Sequence, residues 1–467
     1  MAEAADSRVL RADWVLPVCG PPIGNGAVRI EGGRIAAVGG ADEVFRREDC
    51  VEDLGRVALL PGLVNAHAHL ELSVYAGRLP PSSLWDWLPR LIELRREAEP
   101  ARNEVDAASR AAWDCLSAGV TCIGDISRNG RVFAALDDVP IRQVRFLELI
   151  SGAAEPPRDP DELGLALDAM GASADASRPS GRNWGVSPHS PYTVTARHLD
   201  AVVRLAVERR LPLTMHVAET MEEREWLEHR TGRLAEFVAR HPALNVERMF
   251  KGDVLGLLER MSHVAAGSGV CVVRKAARES AEERPAGDDA IVTAGSRSRR
   301  TAAPMVFAHC NYVRDDEIAW LGARSWKRRS GRGISVVFCP RAHRFFGHRD
   351  HPWRRMLAAG VNVCLGSDSL ASNESLSILD ELRFLRRIAP ECPAATLLEM
   401  ATHNGAAALG LRDEIGAIRV GLAADLIAIP LLSDCGGDEF DPAAAILDGG
   451  EHVSHVYVGG VRRQITG

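Results

Sequence analysis

The densest chemistry in the chain lies at Pro61-Gly-Leu-Val-Asn-Ala-His67-Ala-His69-Leu-Glu71. Alternate residues of a strand share a face, so His67 and His69 project together from a strand end. Two imidazoles on one side suit a divalent metal; the plain alternative is two polar residues closing a strand. In Thr214-Met-His216-Val-Ala-Glu219 a histidine ends an apolar run and a carboxylate follows three residues on. A carboxylate beside a metal can take a proton from an activated water; Glu222 and Glu223 make the start of a surface helix the competing reading. His309 closes the run Val306-Phe-Ala, where a lone histidine is more often a satisfied core residue. Asp368, in Val363-Cys-Leu-Gly-Ser-Asp-Ser, is a metal ligand, a general base or the N-cap of the next helix.

What must position these residues is a series of short apolar runs separated by helical patterns. The runs are Val57–Asn65, Val120–Ile126, Gln143–Leu149, Trp184–Ser187, Leu213–Val217, Met305–Ala308, Ile334–Phe338 and Val361–Leu365. Helices are expected over Leu84–Glu97, Glu104–Ala118, Ala196–Arg209 and Leu376–Arg387. Eight strands alternating with helices predict parallel βα units closed into a (β/α)8 TIM barrel. Each candidate residue then sits at the C-terminal end of a barrel strand, where barrel enzymes build their sites. Three histidines and an aspartate there would make a mononuclear metal site with room for water. Both chain ends are β-rich and carry Gly24-Asn25-Gly26, Gly32-Gly33 and Gly459-Gly460 as hairpin signals. They predict one composite β-sandwich from residues 1–56 and 413–467 around a 57–412 barrel. The Ala-, Arg-, Glu-, Ser- and Gly-rich stretch at 254–303 reads as a solvated surface insertion.

The ordered set PGLVNAHAHLE, HVAE, AHC and GSDS, with Ala401-Thr-His-Asn-Gly and Ile415-Gly-Ala-Ile-Arg-Val-Gly-Leu-Ala-Ala-Asp425, resembles the amidohydrolase superfamily over nearly the whole chain. The resemblance is to its cytosine deaminase, chlorohydrolase and S-adenosylhomocysteine deaminase branch. It implies that His67, His69, His216 and Asp368 ligate one Zn2+ or Fe2+. It implies further that Glu219 shuttles protons, and that His309, with Asp368, orients the attacking water. His189, in Val186-Ser-Pro-His-Ser-Pro-Tyr192, matches a position that contacts substrate. Binuclear members bridge two metals with a carboxylated lysine on strand four, and no lysine occurs here between His69 and His216. The branch therefore implies deamination of a heterocyclic ring by a metal-dependent aminohydrolase. His69-Leu-Glu71, Ser83-Leu-Trp85-Asp-Trp and Asp380-Glu-Leu-Arg383 look like the aminodeoxyfutalosine deaminases of menaquinone synthesis, which act on a 6-aminopurine nucleoside. On that likeness Glu71 and Trp85 would contact substrate, the plain alternatives being that Glu71 orients a neighbouring group and Trp85 packs under its helix; Glu148, at the end of strand three, would line the pocket or form a structural ion pair. Alternatives on the same site are a chlorohydrolase, or an aminohydrolase of guanine or another N-heterocycle. The chain departs from the family at Cys339-Pro-Arg-Ala-His343-Arg-Phe-Phe-Gly-His348, where the family has Cys-Pro-x-Ser-Asn. His343, His348 and His351 read as part of a polar loop rather than a second metal site.

Composition narrows the partners. The 467 residues carry a net charge of −7, with 46% hydrophobic and 25% charged residues. That gives no electrostatic footprint for nucleic acid or an anionic membrane. No run is long and apolar enough to span a bilayer, and Met1–Val15 lacks the apolar core of a signal peptide. Ten cysteines without CxxC pairs suggest reduced, buried thiols. The expected protein is cytoplasmic, acts on a small molecule and, by analogy with the family, forms a homodimer.

Overall fold

A computed structural model describes residues 7–97, 100–153, 155–171, 182–267, 303–326, 333–432 and 440–464. Eight parallel strands form one sheet in sequence order: β1 Leu63–Ala68, β2 Val120–Ser127, β3 Arg142–Leu149, β4 Arg182–Pro188, β5 Leu213–Val217, β6 Met305–His309, β7 Ile334–Phe338 and β8 Asn362–Leu365. The strands read as unbroken apolar runs because helices cover one face and the barrel interior the other; β1, β5, β6, β7 and β8 are buried at every residue. The sheet closes on itself just beyond the strand ends. The His69 N–H donates to the Asp368 carbonyl, and the Ser367 and Asp368 N–H groups both donate to the His67 carbonyl, each at 3.1 Å. Gly366 makes the approach possible, since a Cβ there would lie 2.8 Å from both the His67 Cβ and its carbonyl oxygen.

The run Val57–Asn65 is two strands rather than one. Val57–Pro61 pairs with Ser7–Val15 and Leu426–Pro430 in the terminal sheet, and β1 begins only at Leu63. The switch is at Gly62, where a Cβ would fall 2.0 Å from Thr121 Oγ1 and whose N–H donates to the Asp425 carbonyl. The strand of the terminal sheet thus runs on to Pro61 before the first barrel strand begins. Asp425 holds the junction from the other side. Its carboxylate pairs with Arg142, at the start of β3, and accepts the Gly459 N–H at 2.8 Å.

The terminal strands make a single eight-stranded sheet, which joins both chain ends as expected. It folds over a core of Leu10, Val28, Ile35, Leu59, Leu426 and Tyr457, so the sandwich is one sheet bent back on itself. Ile35 and the 421–422 segment close it with two 2.8 Å backbone bonds. Gly32-Gly33 and Gly459-Gly460 are two-residue turns with both residues at positive φ. Gly24-Asn25-Gly26 is not a turn. It lies inside the strand Ile23–Glu31, where a Cβ at Gly26 would meet Val15 at 2.6 Å. The 254–303 stretch opens with a regular helix, Val254–Ala265, whose Val254, Leu257, Leu258 and Met261 are buried at helical spacing. That part is core and not solvated insertion; residues 268–302 lie outside the described residues.

Candidate active site

The barrel brings three imidazoles to one point. His67 and His69 come from β1 and the residue after it, and His216 from β5; their ligand atoms all lie within 4.8 Å of one another. The His67 ring stands edge-on to those of His69, His216 and His309, with centroids 5.0, 5.0 and 5.2 Å away. Both ring nitrogens of His67 are buried without a hydrogen-bond partner among the described residues. Polar atoms orphaned in this way in a native interior call for a ligand. His216 Nδ1 lies 2.8 Å from the His189 carbonyl, which can only accept. Nδ1 therefore carries the proton, and the Nε2 lone pair is free to bind a cation.

Asp368 follows β8 in a left-handed conformation, φ 61°. Its Oδ1 lies 4.0 Å from His69 Nε2, and its Oδ2 accepts from Ser372 Oγ at 3.3 Å. Burial, reinforced by neighbouring imidazoles, holds His67 and His69 well below the ordinary histidine value, and His216 falls to about 4. The rings are neutral at pH 7, the state a metal requires. Burial pushes the Asp368 carboxyl up to about 7. A cation at this point would reverse that cost. The donor set of three neutral imidazoles and one carboxylate fits a single divalent ion.

Glu219 reaches the same point from the loop after β5. Its Oε1 is 3.7 Å from His309 Nε2. Burial, then the charges of Asp368 and Glu223, raise its carboxyl well above the usual range, so it can carry a proton near neutrality. The loop is held from two sides. Glu223 accepts the Ala218 and Glu219 N–H groups at 2.7 and 3.0 Å, which fixes Ala218 at φ 50°. Asn311 Nδ2 donates to the Glu219 carbonyl at 2.9 Å. His309 is also left-handed, φ 67°, and His351 Nε2 holds its carbonyl at 2.8 Å.

A cavity of about 550 Å³ opens over this centre, with His69, His216, Glu219, His309 and Asp368 in its wall. His189 and Glu148 line it too, and together with His216 they form a second cluster within 4.8 Å. Glu148 ends β3 with Oε1 unpartnered, and burial raises its carboxyl to about 7. Glu71 lines the wall, but its oxygens are engaged: Oε1 with Arg95 at 3.1 Å, and Oε2 with Ser127 Oγ at 2.7 Å and the Arg128 N–H at 3.0 Å. Trp85 is outside the wall. It packs against Tyr192 and Phe237, centroids 5.5 and 5.7 Å away, and Trp87, two positions further round the helix Leu84–Glu97, faces the cavity instead. The polar-loop expectation for His343 and His348 also needs correcting. His343 lies in the short helix Pro340–Phe345, and the rings of His343 and His348, half-buried, meet Tyr312, Phe338 and His351 mostly edge-on, though among the described residues they form no three-ligand cluster. Glu223 and Asn311 escaped sequence reasoning. The only hint of Glu223 was its place four residues after Glu219, within reach of that loop's N–H groups.

Known proteins bear on this geometry. A 5-methylthioadenosine/S-adenosylhomocysteine deaminase of Moorella thermoacetica is 28% identical over 431 residues, covering 89% of this chain and 84% of that one. An aminodeoxyfutalosine deaminase of Deinococcus radiodurans is 28% identical over 408 residues, covering 87% and 86%. A zinc-bound adenosine deaminase of Xanthomonas campestris shares the fold with TM-score 0.73 at 22% identity, over 98% of this chain and 92% of that one. No helix among the described residues is long and apolar enough to cross a membrane. Residues 58–463 match the amidohydrolase family, and with the barrel, its terminal sheet and the histidine cluster in place, the chain belongs to that family.

Proposed function

We propose that this chain is a mononuclear metal-dependent aminohydrolase that deaminates a 6-aminopurine nucleoside such as aminodeoxyfutalosine. The observation that carries the reading is the convergence of His67, His69, His216 and Asp368 beside the buried carboxyl of Glu219. The names of the relatives, both purine nucleoside deaminases, support the substrate class. His67, His69, His216 and Asp368 would hold one divalent ion, Zn2+ or Fe2+. When bound, that ion supplies Lewis acidity that makes water nucleophilic near neutral pH.

The chain's own groups do the rest. Glu219 removes a proton from the attacking water and delivers it to the ring nitrogen beside the amino-bearing carbon. His309, 3.7 Å from the Glu219 carboxyl, and Asp368 fix where that water stands. The water oxygen bonds to the ring carbon, the exocyclic C–N bond breaks with a second proton passed through Glu219, and ammonia leaves. His189, whose Nδ1 is held by Thr193 Oγ1 at 2.8 Å, presents Nε2 to the ring, and Glu148 stands beside it.

The test is metal content together with ammonia release from aminodeoxyfutalosine, S-adenosylhomocysteine, adenosine, guanine and cytosine. Release from one nucleoside, with the ultraviolet shift for loss of the 6-amino group, supports the reading. One metal per chain with silence across the panel overturns deamination of these rings and moves the reading to another leaving group, as in the chlorohydrolases.

A further inference from the structure

The stretch Asp380-Glu-Leu-Arg383 lies on the helix Ile378–Ile388, and none of its residues lines the cavity. Glu381 is nevertheless fully buried, 0% exposed. A carboxyl is costly to bury, so its partners must explain why it is there. Both of its oxygens accept: Oε1 from Asn373 Nδ2 at 2.8 Å, and Oε2 from the Arg341 backbone N–H at 2.9 Å. The Arg341 guanidinium makes its own hydrogen bonds elsewhere, to Ser375 Oγ at 2.8 Å and Glu374 at 3.1 Å. The two donors to Glu381 belong to different loops. Arg341 is in the first turn of the helix that follows β7, and Asn373 lies in the loop after β8. Asn373 passes the constraint on, because its Nδ2 also donates to the Ser367 carbonyl at 2.9 Å. That carbonyl can only accept, which fixes the orientation of the amide. Asp368 comes next in the chain, and its left-handed backbone is a strained conformation that a non-glycine residue keeps only where its surroundings impose it. On the β1 side the His67 carbonyl holds the Ser367 and Asp368 N–H groups. On the other side the tie runs from Glu381 through Asn373 to Ser367.

We propose that Glu381 is a positioning residue for the metal: acting through Asn373 and Ser367, it holds the Asp368 carboxylate where the three imidazoles meet. This rests on the ligand set of the proposed function and not on its substrate. One buried carboxyl thereby ties the β7 and β8 loops to a single helix. Without its two acceptors the β8 loop is free to leave the left-handed conformation, and the carboxylate leaves the point it shares with His67, His69 and His216.

The test is the Zn2+ affinity of the full-length protein, read by competition with a chromophoric chelator, with circular dichroism to show that each variant is folded. Asp368→Ala measures what the carboxylate contributes. Glu381→Leu, which removes both acceptors, is expected to weaken Zn2+ binding by roughly tenfold to a hundredfold, the range for a group that orients a metal ligand. Glu381→Gln keeps one acceptor and should lose less. Added to Asp368→Ala, Glu381→Leu should cost little more, since both act on one donor. A merely structural role would lower the unfolding midpoint of the metal-free protein and leave the Zn2+ affinity of folded molecules alone. Wild-type affinity in both Glu381 variants, or an equal loss with and without Asp368, overturns the role of Glu381. If Glu381→Leu does not fold, Asn373→Ala breaks the same path one step nearer Asp368 and takes its place in the cycle. An Asp368→Ala protein that binds Zn2+ as tightly as wild type overturns the ligand set, and the role of Glu381 with it. Ammonia release does not enter the measurement, so a failure of the deaminase reading alone leaves its result unchanged.

Discussion

At the scale of single residues the proposed roles separate holding a metal from moving a proton. Among the described residues neither ring nitrogen of His67 has a hydrogen-bond partner, whereas Glu219 is placed by its neighbours to face His309. Glu219→Gln keeps size and hydrogen bonding but cannot cycle a proton. It should retain one metal per chain while kcat falls by about 10²-fold or more, read by metal analysis beside steady-state rates. His67→Ala should lose the metal instead. Glu223→Ala frees two N–H groups that hold Ala218 left-handed. It should cost about 2–3 kcal/mol in denaturant unfolding and lower kcat with metal content retained. His67, His69, His216, Glu219, His309 and Asp368, which the structure gathers at one point, stood out in the sequence because each closes an apolar run or follows one within three residues. Glu223 did not, because its role depends on which backbone it reaches. For Trp85 the structure favours packing under its helix: helical phase relative to the cavity decides between it and Trp87, and phase is set by packing.

Among the elements, the barrel was legible because buried parallel strands leave continuous apolar runs. The run from Val57 to Asn65 misled for the same reason. Two strands of different sheets, joined at Gly62, are apolar throughout, so only the close approach of Thr121 marks the switch. Glycines near strand ends likewise serve two ends: Gly32-Gly33 turns the chain, and Gly26 makes room for Val15. Gly366 belongs to the second kind. Gly366→Ala would drive a methyl into the His67 backbone and against Val337, forcing β8 away from β1. The expected outcome is a loss of about 1–3 kcal/mol together with weakened metal binding, read by thermal unfolding and by competition with a chelator.

For the molecule as a whole, buried histidines make stability depend on pH. Burial holds His351 down to about 3, and His343 and His348 to about 4, against 6.5 for a free ring. The unfolded chain binds protons at about pH 6.5 that the folded chain refuses until about pH 4 or below. Stability therefore rises with pH through this window and is lost on acidification from 6.5 toward 4. Metal-free protein should show a steep fall in unfolding midpoint between pH 7 and 5, and His348→Gln should make that fall shallower. A flat profile would show these rings free to take up protons in the folded state.

The barrel seam has a consequence for how the protein comes into being. The proposed metal donors stand on both sides of it, His67 within the first strand and Asp368 beyond the last, nearly the whole barrel apart along the chain. During synthesis the first two histidines emerge early and wait for a partner that the ribosome delivers only near the end. On the proposed ligand set, a chain that stops before β8 would lack Asp368 and with it one donor, so tight cation binding would report a finished barrel.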